Sequence, residues 1–291
     1  MILNLQADDV ASYNQARTEQ VVFRTNDRLL VFSGDDHLDW LQGQLTQNLL
    51  PARPGDSTAF AIASATGQIQ GYGRLYWGER DTTVIADVTS AYALQERVQR
   101  FVILEDVELA MPNVRVWSAQ GPLASDLPAD GWWHDRFGLG GFDFALPIEG
   151  EHHTSLTPLA QDLLRMESGW PVMGIDTTEK TLVAELGEWF VGQTVHYEKG
   201  CYTGQEILMR IYSRGHVNRS RVGLLLEDPI ENLADITDPD GQVCGSTQQV
   251  AVSPRLGPIA TGLLRTEAMG KQLWVGKAKA RAVALPFPES R

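Results

Sequence analysis

Apolar and polar positions alternate through much of the chain, and turn residues cut the alternation into short lengths. Val21-Val22-Phe23 and Leu29-Leu30-Val31-Phe32 predict strands, the second opened by the Asn26-Asp27 turn pair. Ser33-Gly34-Asp35-Asp36 ends that run and starts a helix carrying Leu38, Leu41 and Leu45 on one face. A meander is predicted next, with strands from Ser57 to Ala63, Ile69 to Trp77 and Thr82 to Ala86 separated by turns at Ser64-Ala65-Thr66-Gly67 and Gly78-Glu79-Arg80-Asp81. A helix from about Ser90 to Phe101 follows, then strands at Val107 to Leu109 and Val114 to Trp117. Gly138-Leu139-Gly140-Gly141 lacks the spacing of a phosphate loop, and Phe142 to Leu146 after it alternates as a strand does, so it reads as a hairpin turn. Helical spacing returns from Leu159 to Gly169.

Beyond Arg219 strands dominate: Val222 to Leu226, Gln242 to Thr247, Gln249 to Val252, Ile259 to Leu264 and Lys279 to Leu285. Short strands with frequent turns predict a small β-barrel or sandwich of about eighty residues. The main boundary falls near Arg214 to Asn218, giving an α+β region over 1–214 and a barrel over 215–291.

Composition narrows the function classes. The 291 residues carry 37 acidic and 24 basic side chains, a net charge of −13, which argues against a broad phosphate-binding surface. A local basic run does exist, with Arg210, Arg214, His216, Arg219 and Arg221 uninterrupted by an acid. It reads as a solvated or ion-paired edge first and a tRNA contact second. No apolar stretch is long enough to span a bilayer, and the N-terminus lacks the pattern of a signal peptide. Only two cysteines are present, 43 residues apart, which favours a reducing, cytoplasmic setting over a disulfide framework. Metal-ligand spacing is also missing: His152 and His153 are adjacent, and two cysteines cannot supply a four-thiolate cluster site. Cys244 reads as a structural strand residue.

The most informative stretch is Lys199-Gly200-Cys201-Tyr202-Thr203-Gly204-Gln205-Glu206. Thr203 and Glu206 have capping-box spacing ahead of Ile207, Leu208, Met209 and Ile211, which predicts a helix starting at Gly204. Cys201 would then lie just before a positive helix end and two residues from the Lys199 ammonium, both of which favour a thiolate. The alternative is a small buried apolar cysteine beside a glutamate that only caps.

This octapeptide resembles the signature of the YgfZ-type folate-binding proteins, relatives of the glycine-cleavage T-protein (aminomethyltransferase). The resemblance extends over nearly the whole chain through Gly34-Asp35-Asp36 with Trp40 to Asn48, Thr66-Gly67-Gln68, Arg165 to Pro171, Gly174-Ile175-Asp176, and Arg210, Gly215 and Arg219. It implies discontinuous α+β modules around a central folate channel, the inserted one at about 52–148, followed by a C-terminal small β-barrel. It also implies tetrahydrofolate or a derivative as cofactor, with Glu167 as the pterin acceptor and Tyr202, Gln205 and Arg210 as further contacts. Cys201 and Lys199 would carry thiol chemistry supporting iron–sulfur cluster assembly or repair, with iron–sulfur enzymes (tRNA-modifying ones included) or cluster carriers as clients. Two alternatives stay open: a folate-dependent aminomethyl- or methyltransferase, and a tRNA-binding modification factor. Ala93 stands where T-proteins place a catalytic aspartate, with Asp87 nearby in another register.

Overall fold

In the strand Ser57–Ala63 five consecutive residues are buried, because both faces of the strand are covered. Phe60 and Ile62 point into one apolar cluster, while Ala61 and Ala63 point into another on the opposite side. That two-sided burial locates the strand between helices and the cavity-forming segments, and the remaining architecture follows from it. The structure is a computed structural model, and it describes residues 1–50, 53–122, 124, 128, 131–148, 154–215 and 217–290. His152, His153 and His216 lie outside the described residues.

In chain order the elements are β1 (Ile2–Leu3), α1 (Ala7–Thr18), β2 (Val21–Arg24), β3 (Arg28–Ser33), α2 (His37–Gln44), β4 (Ser57–Ala63), β5 (Ile69–Trp77), β6 (Thr82–Ala86), α3 (Val88–Phe101) and β7 (Glu108–Ala110). They continue with β8 (Val114–Gln120), β9 (Gly131–Trp133), β10 (Gly141–Pro147), α4 (Pro158–Glu167), α5 (Glu188–Thr194) and α6 (Gln205–Arg214). The last strands are β11 (Arg219–Leu226), β12 (Asp235–Thr237), β13 (Val243–Ser253), β14 (Gly257–Arg265), β15 (Leu273–Val275) and β16 (Ala278–Val283).

Two antiparallel sheets interleave along the chain. One has the order β4-β5-β6-β3-β7, the other β2-β8-β10-β9. The first sheet, spanning 28–110, is nested between β2 and β8, against the stretch of about 52–148 that the resemblance implied. The third sheet closes on itself. β13 pairs with both β12 and β14, so β13-β12-β15-β16-β11-β14 forms a six-stranded antiparallel barrel, and β1 adds to β13 in parallel. The fold is therefore α+β with a C-terminal barrel. β12 and β15, three residues each, escape the sequence reading. The two strands predicted over 242–252 are one, interrupted only by a register shift between Thr247 and Gln249.

The barrel does not stand apart. Leu225, Ile259, Leu285 and Phe287 share one apolar cluster with Tyr13 and Ala16 of α1 and with Leu163, Leu164 and Met166 of α4. A polar hub supplements that contact. The Asp176 carboxylate is buried and accepts from Arg221 of β11 at 3.3 Å, Gln249 of β13 at 2.6 Å, and the Val172 amide at 2.7 Å. Arg221 also donates to the Gly169 carbonyl, so barrel strands grip the 169–176 segment that leaves α4. Truncating one member of a buried ion pair costs about 3–5 kcal/mol, since the partner charge stays buried and uncompensated. Asp176→Asn should lower unfolding stability by that order, measured from urea denaturation of both proteins.

Candidate functional site

The cavity is assembled from both interleaved sheets and α4. Thr157 caps α4 by accepting from the Ala160 amide, Pro158 fits the first helical position, and Asp9 of α1 accepts from the Thr157 hydroxyl at 2.7 Å. This fixes the α4 face that carries Asp162 and Arg165. On the other side, β5 lacks a side chain at Gly71, where a Cβ would sit 2.7 Å from the Ser90 hydroxyl. The start of α3 thus packs directly on β5. The Ser90 hydroxyl accepts from the Tyr72 amide at 3.0 Å and donates to Asp87 at 2.8 Å.

Between these elements lies a cavity of about 400 Å³, within the usual range for small-molecule sites. Tyr72 and Trp170 stack in its wall with centroids 5.6 Å apart and planes at 6°. The Tyr72 hydroxyl donates to the Pro171 carbonyl at 2.5 Å, locking the ring orientation. Asp87 caps α3 and faces the cavity, and burial raises its pKa above the ordinary carboxylate value. Arg74, Arg136 and Arg165 supply positive charge in the wall.

Arg136 is held by two carboxylates, donating to Asp27 at 2.6 Å and to Asp143 at 2.8 Å through Nε. His134 lies 2.7 Å from Asp143. Burial alone would raise the Asp143 pKa, but Arg136 and His134 hold it well below the usual range. Burial pushes His134 down from 6.5, outweighing the pull of Asp143. In both cases the unfolded chain takes up a proton before the folded one does, so stability falls as pH falls. The His134 contribution is complete above 6.5 and declines below it, and the Asp143 contribution follows at pH below 3.8. The urea midpoint should therefore drop from pH 7 to pH 5, and His134→Asn should flatten that drop.

The octapeptide lies outside the cavity wall, at the far end of the same β4–β5 hairpin. Gly204 has φ +86°, and a Cβ there would sit 2.5 Å from the Ser64 carbonyl oxygen, so the close approach requires glycine. That turn replaces the expected capping box. Gly204 is itself the N-cap, no side chain caps α6, and Glu206 bonds forward to Arg210 at 2.8 Å. Cys201 is exposed, as the activated-thiol reading requires, whereas Cys244 is buried in the barrel.

Lys199 differs from its expected role. Its ammonium donates to the carbonyls of Gln42, Leu45 and Gln47 at 2.6, 2.8 and 2.7 Å, which uses all three protons. No N–H is left for a thiolate. Burial pushes its pKa down to about 7, while three carbonyls that each need a donor favour the charged form over an amine with two. The residue is a post joining the motif loop to the end of α2, with the Tyr202 ring 5.1 Å from the ammonium.

Glu167 also differs. Its carboxylate is buried away from the cavity wall and accepts from Tyr13 at 2.9 Å, Ser253 at 2.6 Å and Arg255 at 2.8 Å. A carboxylate so engaged is a structural link between α1, α4 and the barrel. Tyr202 is buried with its hydroxyl unpartnered, and Gln205 donates to the Lys199 carbonyl at 3.4 Å. Arg210 is exposed and paired with Glu206. The basic run is taken apart as well, for Arg219 pairs with Glu185 and Arg221 is buried on Asp176. Among the described residues no cluster of three His, Cys, Asp or Glu converges as metal ligands.

A native-state assay with an aromatic disulfide reagent should titrate one thiol quickly, and a second only after denaturation. Lys199→Met should cost about 1–3 kcal/mol, through buried carbonyls left without donors, in urea unfolding.

No family model matches the chain. It is 26% identical to the iron-sulfur cluster assembly factor IBA57 homolog, mitochondrial, of Chaetomium globosum, over 75% of this chain and 56% of that protein. The chain thus spans little more than half the length of this curated relative. In fold it superposes on the crystal structure of the glycine cleavage system aminomethyltransferase T from Bartonella henselae with a TM-score of 0.82, covering 97% of this chain and 90% of that one at 22% identity. No helix is long and apolar enough to cross a membrane among the described residues. The chain has the fold of the glycine-cleavage T-protein, and that fold and the curated relative together support its resemblance to the YgfZ-type proteins of the T-protein superfamily.

Proposed function

We propose that this chain binds tetrahydrofolate or a derivative in the central cavity and supports iron–sulfur cluster assembly or repair through the exposed Cys201. The observation that carries the cofactor reading is the cavity itself, with a stacked Tyr72–Trp170 wall, the buried Asp87 carboxylate and three arginines. A reduced pterin is flat and presents a ring N–H beside an exocyclic amino group, which suits an aromatic wall and a carboxylate acceptor. Each Asp87 oxygen already accepts one bond from Ser90 and keeps a second lone pair. Arg74 or Arg165 would meet the anionic glutamate tail. When bound, the folate would supply a one-carbon acceptor. Asp87 takes over the pterin role expected of Glu167, which has no acceptor capacity directed at the cavity.

The similarity to a cluster assembly factor and the exposed thiol support the second half of the reading. Clients would be iron–sulfur enzymes, tRNA-modifying ones among them, or cluster carriers, and a cytoplasmic setting fits the low cysteine count. An aminomethyl- or methyltransferase activity is the second reading. Asp87, with its pKa raised by burial, is the acid–base group that Ala93, packed against the sheet core, does not provide.

Anaerobic calorimetry with tetrahydrofolate tests the cofactor. Saturable binding is expected for the wild type and for Cys201→Ala, and Asp87→Asn should weaken it about tenfold or more. Affinity should also fall in mildly acidic buffer, because protonation turns one Asp87 acceptor oxygen into a donor and burial raises the pKa at which this happens. Wild-type protein that binds no folate would sink the cofactor assignment. Turnover with an amine donor would promote the transferase reading.

A further inference from the structure

The turn after α3 holds two large aliphatic side chains out in water. Val102 folds back onto the core beneath the sheet, while Ile103 and Leu104 are 80% and 94% exposed. Single exposed hydrophobics are ordinary. This pair is adjacent, and the turn beneath it is tied down. The Glu105 carboxylate accepts from the amides of Ile103 and Leu104 at 2.9 and 3.0 Å. The next residue is then stitched to the β3–α2 connection. Its amide donates to the Asp36 carboxylate at 2.8 Å, its carbonyl accepts from the Asp36 amide at 3.1 Å, and its carboxylate accepts from the Asp35 amide at 2.9 Å. Side chains presented on an ordered turn lose little freedom on binding, which is the condition under which exposed apolar groups become binding anchors.

The surroundings select the kind of partner. Asp35, Asp36, Glu105, Asp106 and Glu108 are all exposed and belong to the turn or to the segments joined to it. A nearby cation, Arg100, stacks over Phe101, which is itself 43% exposed. An apolar tip within an anionic rim would repel a second copy of itself and an anionic lipid surface. It complements an apolar socket ringed by lysine and arginine.

We propose that the Ile103–Leu104 turn is a docking knob for a partner protein, its two aliphatic side chains entering an apolar socket with a basic rim. This inference rests on the turn alone and holds whether or not the cavity takes folate.

The test starts from the full chain carrying a diazirine analogue of leucine at position 104, with the same group at exposed Leu233 as control. Cells expressing each are irradiated, and the protein crosslinked from position 104 is identified and purified. That partner should bind the wild-type chain more weakly as salt rises. Its affinity should fall on the order of tenfold or more when Ile103→Ser and Leu104→Ser are combined. Glu105→Ala, which frees the turn, should weaken binding, whereas Ile103→Ser with Leu104→Ser should leave the urea midpoint unchanged. The proposal is overturned if position 104 yields no adduct beyond those at 233, or crosslinks lipid or a second copy. It is equally overturned if the purified partner ignores the substitutions, or if the double variant loses stability because the pair packs within the chain.

Discussion

One buried carboxylate, Asp176, is the point on which the cavity and the barrel both depend. It sits on the segment leaving α4 and is reached by Arg221 from β11, by Gln249 from β13 and, at 3.4 Å, by the Thr261 hydroxyl from β14. Three barrel strands thus converge on a segment whose earlier residues, Trp170 to Met173, form a wall of the cavity. Arg165 completes the arrangement, donating to the Trp170 carbonyl and to Gln249 while its side chain lines the same cavity. Burying ionic groups contributes little net stability, because desolvation offsets most of the attraction. What the hub provides is geometry. It permits one placement of the Trp170 ring relative to Tyr72, and so one shape of cavity.

The barrel therefore has a role in the α+β region beyond covering it. Glu167, the last residue of α4, makes the same kind of link, joining Tyr13, Ser253 and Arg255. Two acidic side chains nine residues apart anchor both ends of the α4 exit on the barrel, sharing β13 through Ser253 and Gln249. An element held at both ends transmits displacement rather than absorbing it, so a change in barrel packing would be felt at the cavity wall.

How much of this was legible in the chain depended on how local each cause was. The bounds of β4, β5 and β6 follow from alternation broken by turn residues, and the structure repeats them. The helix over α1 was missed because its sequence is polar around most of its surface, with Asp8, Asp9, Asn14 and Gln15, and is held by Tyr13 and Ala16 against a remote core. β9, β12 and β15 are three residues long, too short for a period to register, although the equally short β7 is met one residue out of place by the strand expected over 107–109. In the octapeptide the exposure of Cys201 was legible. The capping box was not, since the spacing of Thr203 and Glu206 does not reveal that Gly204 must take a left-handed turn against Ser64. Lys199 and Glu167 misled for one reason: their partners lie 152 to 157 and 86 to 154 residues away, respectively. Asp87 entered the sequence reading only as an aspartate out of register with Ala93; its cap role appears in the structure, and nothing local linked it to Trp170.

The fate of the arginines accounts for the electrostatic character of the surface. Arg136, Arg165, Arg221 and Arg255 are turned inward onto Asp27, Asp143, Asp176 and Glu167, and Arg219 and Arg210 are tied to glutamates. Each inward pair removes one positive and one negative charge from the exterior, so the excess of −13 is left on the surface. A polyanion approaching such a surface releases few counterions and meets repulsion over most orientations. A partner with a basic face meets the opposite field and is steered toward it. The same inward turn that shapes the cavity thus biases the exterior toward basic protein partners, because each internal ion pair uses a guanidinium that an RNA-binding surface would have needed.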